Sequence, residues 1–357
     1  MNNVVTIQRN TVPLCFIPDG RLVCYHRGII EFFRDGLVEL SFPIPISSIE
    51  RNFGWCRYVS RLLRFGIRSA IALDNDHVLL CISNTIFELD VRDRRLSNGW
   101  LCGKRTRPLF FSEIKNIEGF EDGIYFGGYS VNMAKGPVSV YKRIGVDHWD
   151  VVYSFPQGVI NHVHNIVADP YRKCLWIFTG DFGEAAAIWK VTDNFKKVIM
   201  VLSNDQRYRG CFVHALPEGL LYATDAPFAD DFIYLLNPDT MVLKELFSMH
   251  GSCIYGCKWK DMFVLSSTVE GDGRDESLVS GLFNRKRGAG IKDQFVHLYV
   301  GNLSDGFQEV YKEKKDCMPF SFQFGAFKFP VGVNVGDTLY FHPVATKKRD
   351  LCLVAFT

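Results

Sequence analysis

The sequence predicts an all-β fold, a β-propeller built from four-stranded antiparallel blades. Three observations carry that expectation. The stretch 162–202 holds one complete unit of four apolar runs, at 165–168, 174–178, 187–191 and 198–202. An Asp169-Pro170 turn, a small-residue loop at 182–186 and a polar Thr192-Asp193-Asn194 turn separate the runs, as in an antiparallel meander. Looser copies of the unit recur over 68–90, 113–143, 210–239, 251–302 and 321–356, at a period of about 45 residues that matches a propeller blade. The chain is also 47% hydrophobic and 14% aromatic, enough to bury both faces of each copy rather than one. A lone meander cannot do that, so the copies must stack, radially or linearly, and the period favours the radial arrangement. The count gives six blades, with seven as the alternative.

That alternative rests on residues 12–45. Strand-like runs at 14–17, 22–26, 29–33 and 37–42 are punctuated by Asp19-Gly20 and Asp35-Gly36. They form either a further blade or the strands that complete the last blade and close the ring. Segment 46–66 follows a different rule. Ser47-Ser48-Ile49-Glu50 reads as a helix start, and Phe53, Cys56, Val59, Leu62 and Leu63 recur at three and four. One amphipathic N-terminal helix packed on the propeller is expected. Arg51, Arg57, Arg61 and Arg64 occupy the other positions, so a peripheral membrane or protein contact through 47–65 is the second reading. Segment 271–293, rich in Gly and charge, reads as a long loop insertion. Residues 1–357 are expected to form a single domain.

Composition removes several classes. A formal net charge of +2 gives no footprint for nucleic acid. No apolar run approaches the roughly 18 residues of a transmembrane helix, and the N-terminus lacks a signal-peptide pattern. The eleven cysteines include Cys81, Cys174, Cys211 and Cys352 inside apolar runs, and no CxxC pair occurs. Reduced thiols in a cytoplasmic protein are expected, without a structural zinc site.

The turn Val191-Thr192-Asp193-Asn194-Phe195-Lys196-Lys197-Val198 resembles the S-x-D-x-G-x-x-W turn of Asp-box (BNR) propellers, the group that includes sialidases. It keeps the Asp and lacks the Ser, Gly and Trp; 145–149 and 303–307 are looser echoes. The resemblance implies that ligands bind on the face opposite these turns. Loops between second and third strands and the starts of first strands lie on that face. Those positions carry Tyr129, Asp181, Asp225 and Glu270 in loops, and Arg68, Glu113, His162, His164, Arg209, His250 and Ser321 near strand starts.

Three classes of function follow. The preferred one, implied by the resemblance, is a sialidase-like glycoside hydrolase acting on an anionic carbohydrate or glycoconjugate. Tyr255, Glu270, Asp181 and Asp225 are then its nucleophile and acid/base candidates. Arg68, Arg209, His162, His164 and Tyr129 are its substrate-binding set, with guanidinium groups matching a carboxylate bidentately. No cofactor is required. The second class is a metal-dependent polysaccharide or uronate lyase. His162 and His164 alternate along a strand and share one side, and His214 and His250 sit at corresponding blade positions, so these four are the ligands if a divalent metal is held. The third is a non-catalytic sugar-binding or protein-interaction propeller. Against every site reading, Asp181 and Asp225 can simply cap turns, and Trp176, Trp189 and Trp259 read as packing rather than sugar platforms.

Overall fold

The computed structural model describes residues 3–103, 106–272, 278–334 and 336–357. The strands form seven antiparallel sheets arranged as a closed seven-bladed propeller. The first blade is Thr11–Phe16, Leu22–His26, Ile29–Arg34 and Leu37–Pro43. The second holds Ile67–Ala72, His77–Ile82 and Thr85–Asp90, with two short outer strands; the third runs from Ser112 to Phe155. The fourth is His162–Asp169, Cys174–Gly180, Ala187–Thr192 and Lys197–Ser203, the unit legible in the sequence. The fifth spans Gly210 to Ser248 and the sixth Tyr255 to Lys314. The seventh takes Ala326–Lys328, Leu339–Val344 and Cys352–Phe356 from the C-terminal end and Val4–Arg9 from the N-terminal end, paired from Val4 with Phe356 to Arg9 with Cys352.

Six blades is therefore corrected to seven. Residues 12–45 are a blade in their own right, and the residues before them close the ring. The first blade escapes a count at the longer period because its turns are minimal. Gly20, Gly28 and Gly36 sit at φ of 90°, 84° and 81°, which lets the chain reverse without a loop.

Apolar side chains fill the seven interfaces between neighbouring blades. Trp176, Phe178 and Ile188 of the fourth blade pack on Val213, Tyr222 and Tyr234 of the fifth. At the closing interface Phe16, Leu22, Cys24 and Phe33 meet Leu353 of the seventh. Because both faces of each blade are covered, second strands such as Cys174–Gly180 are buried at every residue and read as continuous apolar runs. Trp176, Trp189 and Trp259 are all buried packing residues, and the Trp176 indole N–H donates to Asp169 at 2.9 Å.

Segment 46–66 forms two short helices, α1 (Ser48–Phe53) and α2 (Arg57–Leu63), not one. Ser47 caps α1 by accepting from the Glu50 N–H at 3.1 Å. At Gly54 the chain turns so tightly on the Glu50 carbonyl that a Cβ would lie 2.5 Å from it, and α1 ends there. The expected polarity is also inverted. Phe53, Leu62 and Leu63 are exposed, as is Trp55, whereas Arg61 is fully buried. Its guanidinium meets Asp316 at 2.5 Å, Asp350 at 3.0 Å and the Phe322 carbonyl at 2.7 Å. The carboxylates that draw Arg61 inward come from the far end of the chain, which helical periodicity cannot register.

The insertion 271–293 is more ordered than a plain loop. It contains a third helix, α3 (Leu278–Phe283), and Gly271 bridges to Arg287; residues 273–277 lie outside the described residues. Among the described residues, no helix is long and apolar enough to cross a membrane.

Replacing Arg61 leaves Asp350, whose side chain is wholly buried, with only the Ala345 N–H and the more distant Arg57 as partners. Arg61→Ala is expected to lower the unfolding free energy by about 3–5 kcal/mol in urea denaturation. Leu62→Ala, on the exposed side, should stay within about 0.5 kcal/mol. Equal losses at the two positions would refute the anchoring role.

Candidate functional site in the central channel

The first strand of every blade is innermost, and these strands line the channel. Two of them carry a β-bulge at a charged or titratable residue. Pairing slips between Ile67 and Ser69, leaving Arg68 as the extra residue, and between Val163 and Asn165, leaving His164. A bulge re-aims one side chain while the strand continues, and here it turns polar groups out of an otherwise apolar strand. The loops after the second strands supply the rest of the rim.

A cavity of about 200 Å³ opens there. Of the residues singled out from sequence, Arg68, Tyr129, Arg209, Asp225, Tyr255 and Glu270 all line it. Asp181 adjoins through Arg209, and His162 and His164 lie behind Asp181. The four candidate metal histidines do not gather. His214 packs between Phe212 and Phe263, and burial with the nearby Lys258 charge pushes its pKa down to about 4. His250 stacks on His297 in a different cluster. Three charged cavity residues escaped the sequence reading as site residues: Arg64, Arg107 and Lys328. Lys328 interrupts an apolar first strand just as Arg68 does, so the same signal marks it. Arg107 lies in an irregular connection where no periodicity exists to break.

The two walls of the cavity differ in charge balance. On one, Arg209 lies 3.2 Å from both Asp181 and Asp225. Burial opposes ionisation of Asp181, but His162, His164 and Arg209 outweigh it and hold the carboxyl well below the usual range. Burial likewise opposes the Arg209 charge, and Asp225 and Asp181 more than restore it. Asp225 is thus an ion-pair partner; the turn-capping work in its loop falls to Asp231, which accepts from Thr224 and from the Ala226 N–H. Glu270 accepts from the Thr268 hydroxyl at 2.5 Å. Burial, and then the Asp225 charge, raises its pKa to about 7.

On the other wall stand Arg64, Arg68, Arg107 and Lys328. Among the described residues no carboxylate pairs with any of them. Burial and then the Arg107 and Arg64 charges lower Arg68 to about 10, and its Nε is a buried donor without an acceptor. Burial, Arg68 and Arg64 lower Lys328 to about 8. The Lys328 ammonium sits 5.3 Å from the centre of the Tyr255 ring, a cation–π contact in place of an ion pair. Tyr255 does not share a hydrogen bond with Glu270, and burial followed by the nearby Cys211 and Glu270 charges pushes its phenol above the ordinary tyrosine range.

No family model matches this sequence, and no curated protein matches it. Solved structures do resemble it. A chain of a mitotic checkpoint complex aligns with TM-score 0.55 and 11% identity, over 99% of this chain and 90% of its own. The AfRom2 CNH domain aligns with TM-score 0.55 and 8% identity, over 99% of each chain. The Cps50 (Swd1) β-propeller domain of Myceliophteria thermophila gives 0.54 and 8%, over 99% and 98%. At such identities the likeness concerns the fold alone.

The Glu270 shift has a measurable consequence. Its folded-state pKa, about 7, lies above the ordinary 4.5, so the native protein holds this proton more tightly than the unfolded chain. Stability supplied by the protonated form is complete below about pH 4.5 and is lost as pH rises through about 7. Glu270→Gln should therefore gain stability relative to wild type across that window in urea melts. Parallel profiles would show that Glu270 ionises normally.

Proposed function

We propose that this propeller binds an anionic ligand, carboxylated or phosphorylated, in its central channel. The observation that carries the reading is the uncompensated wall of Arg64, Arg68, Arg107 and Lys328. Holding the partly buried Arg68 and Lys328 together, with Arg107 and the more exposed Arg64 beside them and without counter-charge, costs stability, and a ligand anion supplies what the chain does not. Guanidinium groups receive carboxylate or phosphate in bidentate geometry, and lysine contributes a point charge. The phenol of Tyr129 and the amide of Gln323 add neutral hydrogen-bonding groups of the kind that hold sugar hydroxyls. An acidic carbohydrate or glycoconjugate is therefore the ligand class we favour.

Binding is better supported than hydrolysis. A Tyr255 nucleophile needs a base within hydrogen-bond reach, and Glu270 is engaged with Thr268 instead. Asp181 and Asp225 are tied to Arg209, which leaves neither as a ready proton donor.

Calorimetric titration with glucuronate, N-acetylneuraminate and glucose 6-phosphate, against glucose and N-acetylglucosamine, tests this proposal. At least one acid should bind where the neutral sugars do not, and Arg68→Met should weaken it about tenfold or more. Without ligand, Lys328→Met should melt at a higher temperature than wild type. The gain should be largest below pH 8, because a depressed lysine pKa means stability lost as pH falls through it. No preference for acids, or undiminished binding by Arg68→Met, would refute the reading.

A further inference from the structure

Behind the compensated wall, three donor atoms point at one position. His162 Nε2 and His164 Nε2 are 3.0 Å apart, and Asp181 Oδ1 lies 3.2 Å from the first and 3.6 Å from the second. Both imidazoles are buried, at 5% and 2% exposure. We propose that His162, His164 and Asp181 bind a divalent metal ion of the zinc class.

The geometry fits. Ligand atoms about 2.0–2.1 Å from a tetrahedral zinc are separated by roughly 3.3–3.4 Å, and the three observed edges bracket that spacing. The hydrogen bonding of His162 agrees as well, whereas His164 Nδ1 is buried without a partner. His162 Nδ1 lies 3.0 Å from the Ser130 carbonyl, which only an N–H can satisfy. With a hydrogen on Nδ1, His162 Nε2 meets the Asp181 oxygen favourably in only two ways: with a second ring proton, the state in which it lowers the Asp181 pKa, or with a cation between the two atoms. A proton relieves one pair of these atoms, whereas a cation relieves all three. The ring–carbonyl bond is also the usual way a ligating histidine is oriented.

The backbone leaves room for this convergence. Gly180 pairs with His162 across the first two strands of the blade, and a Cβ at Gly180 would fall 2.4 Å from His164 Nε2. Arg209 is the competing cation, 3.2 Å from the same Asp181 oxygen. It retains Asp225 when that oxygen is engaged, so a metal does not strand it. Two further groups bring candidate ligand atoms together among the described residues, His164 with Cys211 and Asp225, and His250 with His297 and Glu309. In the first, Asp225 is already paired with Arg209 at 3.2 Å, and in the second both His297 nitrogens already meet carboxylates, Glu309 at 2.6 Å and Asp293 at 3.1 Å.

Two nitrogens and one carboxylate oxygen suit zinc or cobalt better than magnesium or calcium, and three protein ligands leave a fourth position for water. This inference is independent of the anion-binding reading, since it uses none of the four uncompensated cations.

The test is equilibrium titration of the chelator-stripped full chain with cobalt(II) and zinc(II). Wild type is expected to take up about one equivalent, with the visible bands of tetrahedral cobalt bleached by zinc. Asp181→Asn, which preserves shape, should weaken uptake about tenfold or more. Gly180→Ala should do the same by displacing His164 without removing any ligand. Thermal melts establish that both variants are folded. Absence of saturable uptake by wild type, or wild-type affinity in folded Asp181→Asn or Gly180→Ala, would overturn the proposal.

Discussion

The pairing of Val4–Arg9 with Cys352–Phe356 is the constraint on which the rest of this molecule depends. It joins strands from opposite ends of the chain, covers the edge that the seventh blade would otherwise present, and makes the seventh interface equivalent to the other six. Once the ring is closed, each first strand is confined between two others. A side chain leaving such a strand on the channel side meets only the other blades' first strands and loops. The channel becomes a small shared space to which residues hundreds of positions apart contribute.

What enters that space is governed by local departures from regular pairing. Arg68 and His164 are each the surplus residue of a bulge, and the bulge lets a polar group leave a strand whose other residues serve the core. The same device brings a cation to one wall and a histidine to the other. The walls then diverge in chemistry. Asp181, Arg209 and Asp225 satisfy one another, while Arg64, Arg68, Arg107 and Lys328 are left for an external partner. The funnel holds more cations than carboxylates, and the excess lies on one side.

The helix pair belongs to this arrangement. Arg61, gripped by Asp316 and Asp350, fixes α2 against the seventh blade, and the chain leaving α2 places Arg64 and Phe65 at the cavity. A buried ion pair adds little net stability over an apolar substitute, but it enforces one orientation. Here the orientation it enforces leaves Phe53, Trp55, Leu62 and Leu63 on the outside and delivers a cation to the site.

The sequence alone determined the blade, because strand and turn are local. Alternating runs and turn residues in 162–202 mark four strands, and copies at a steady period mark a propeller. With the orientation that the Asp-box resemblance implies, it also brought Arg68, Tyr129, Arg209, Asp225, Tyr255 and Glu270 to the channel, though not Arg64 or Arg107. Lys328 was legible by the same rule, as a charge inside an apolar strand. Only the tertiary structure decided the seventh blade, the break between α1 and α2 and the burial of Arg61. The same holds for the separation of His214 and His250 from the His162–His164 pair. Each of these turns on a partner far along the chain: Cys352–Phe356 for the closing strand, Asp316 and Asp350 for Arg61, Phe263 for His214 and His297 for His250. Repeat position says which residues can face the channel, but charge balance and ligand convergence depend on distances across it, and those exist only once the ring is closed.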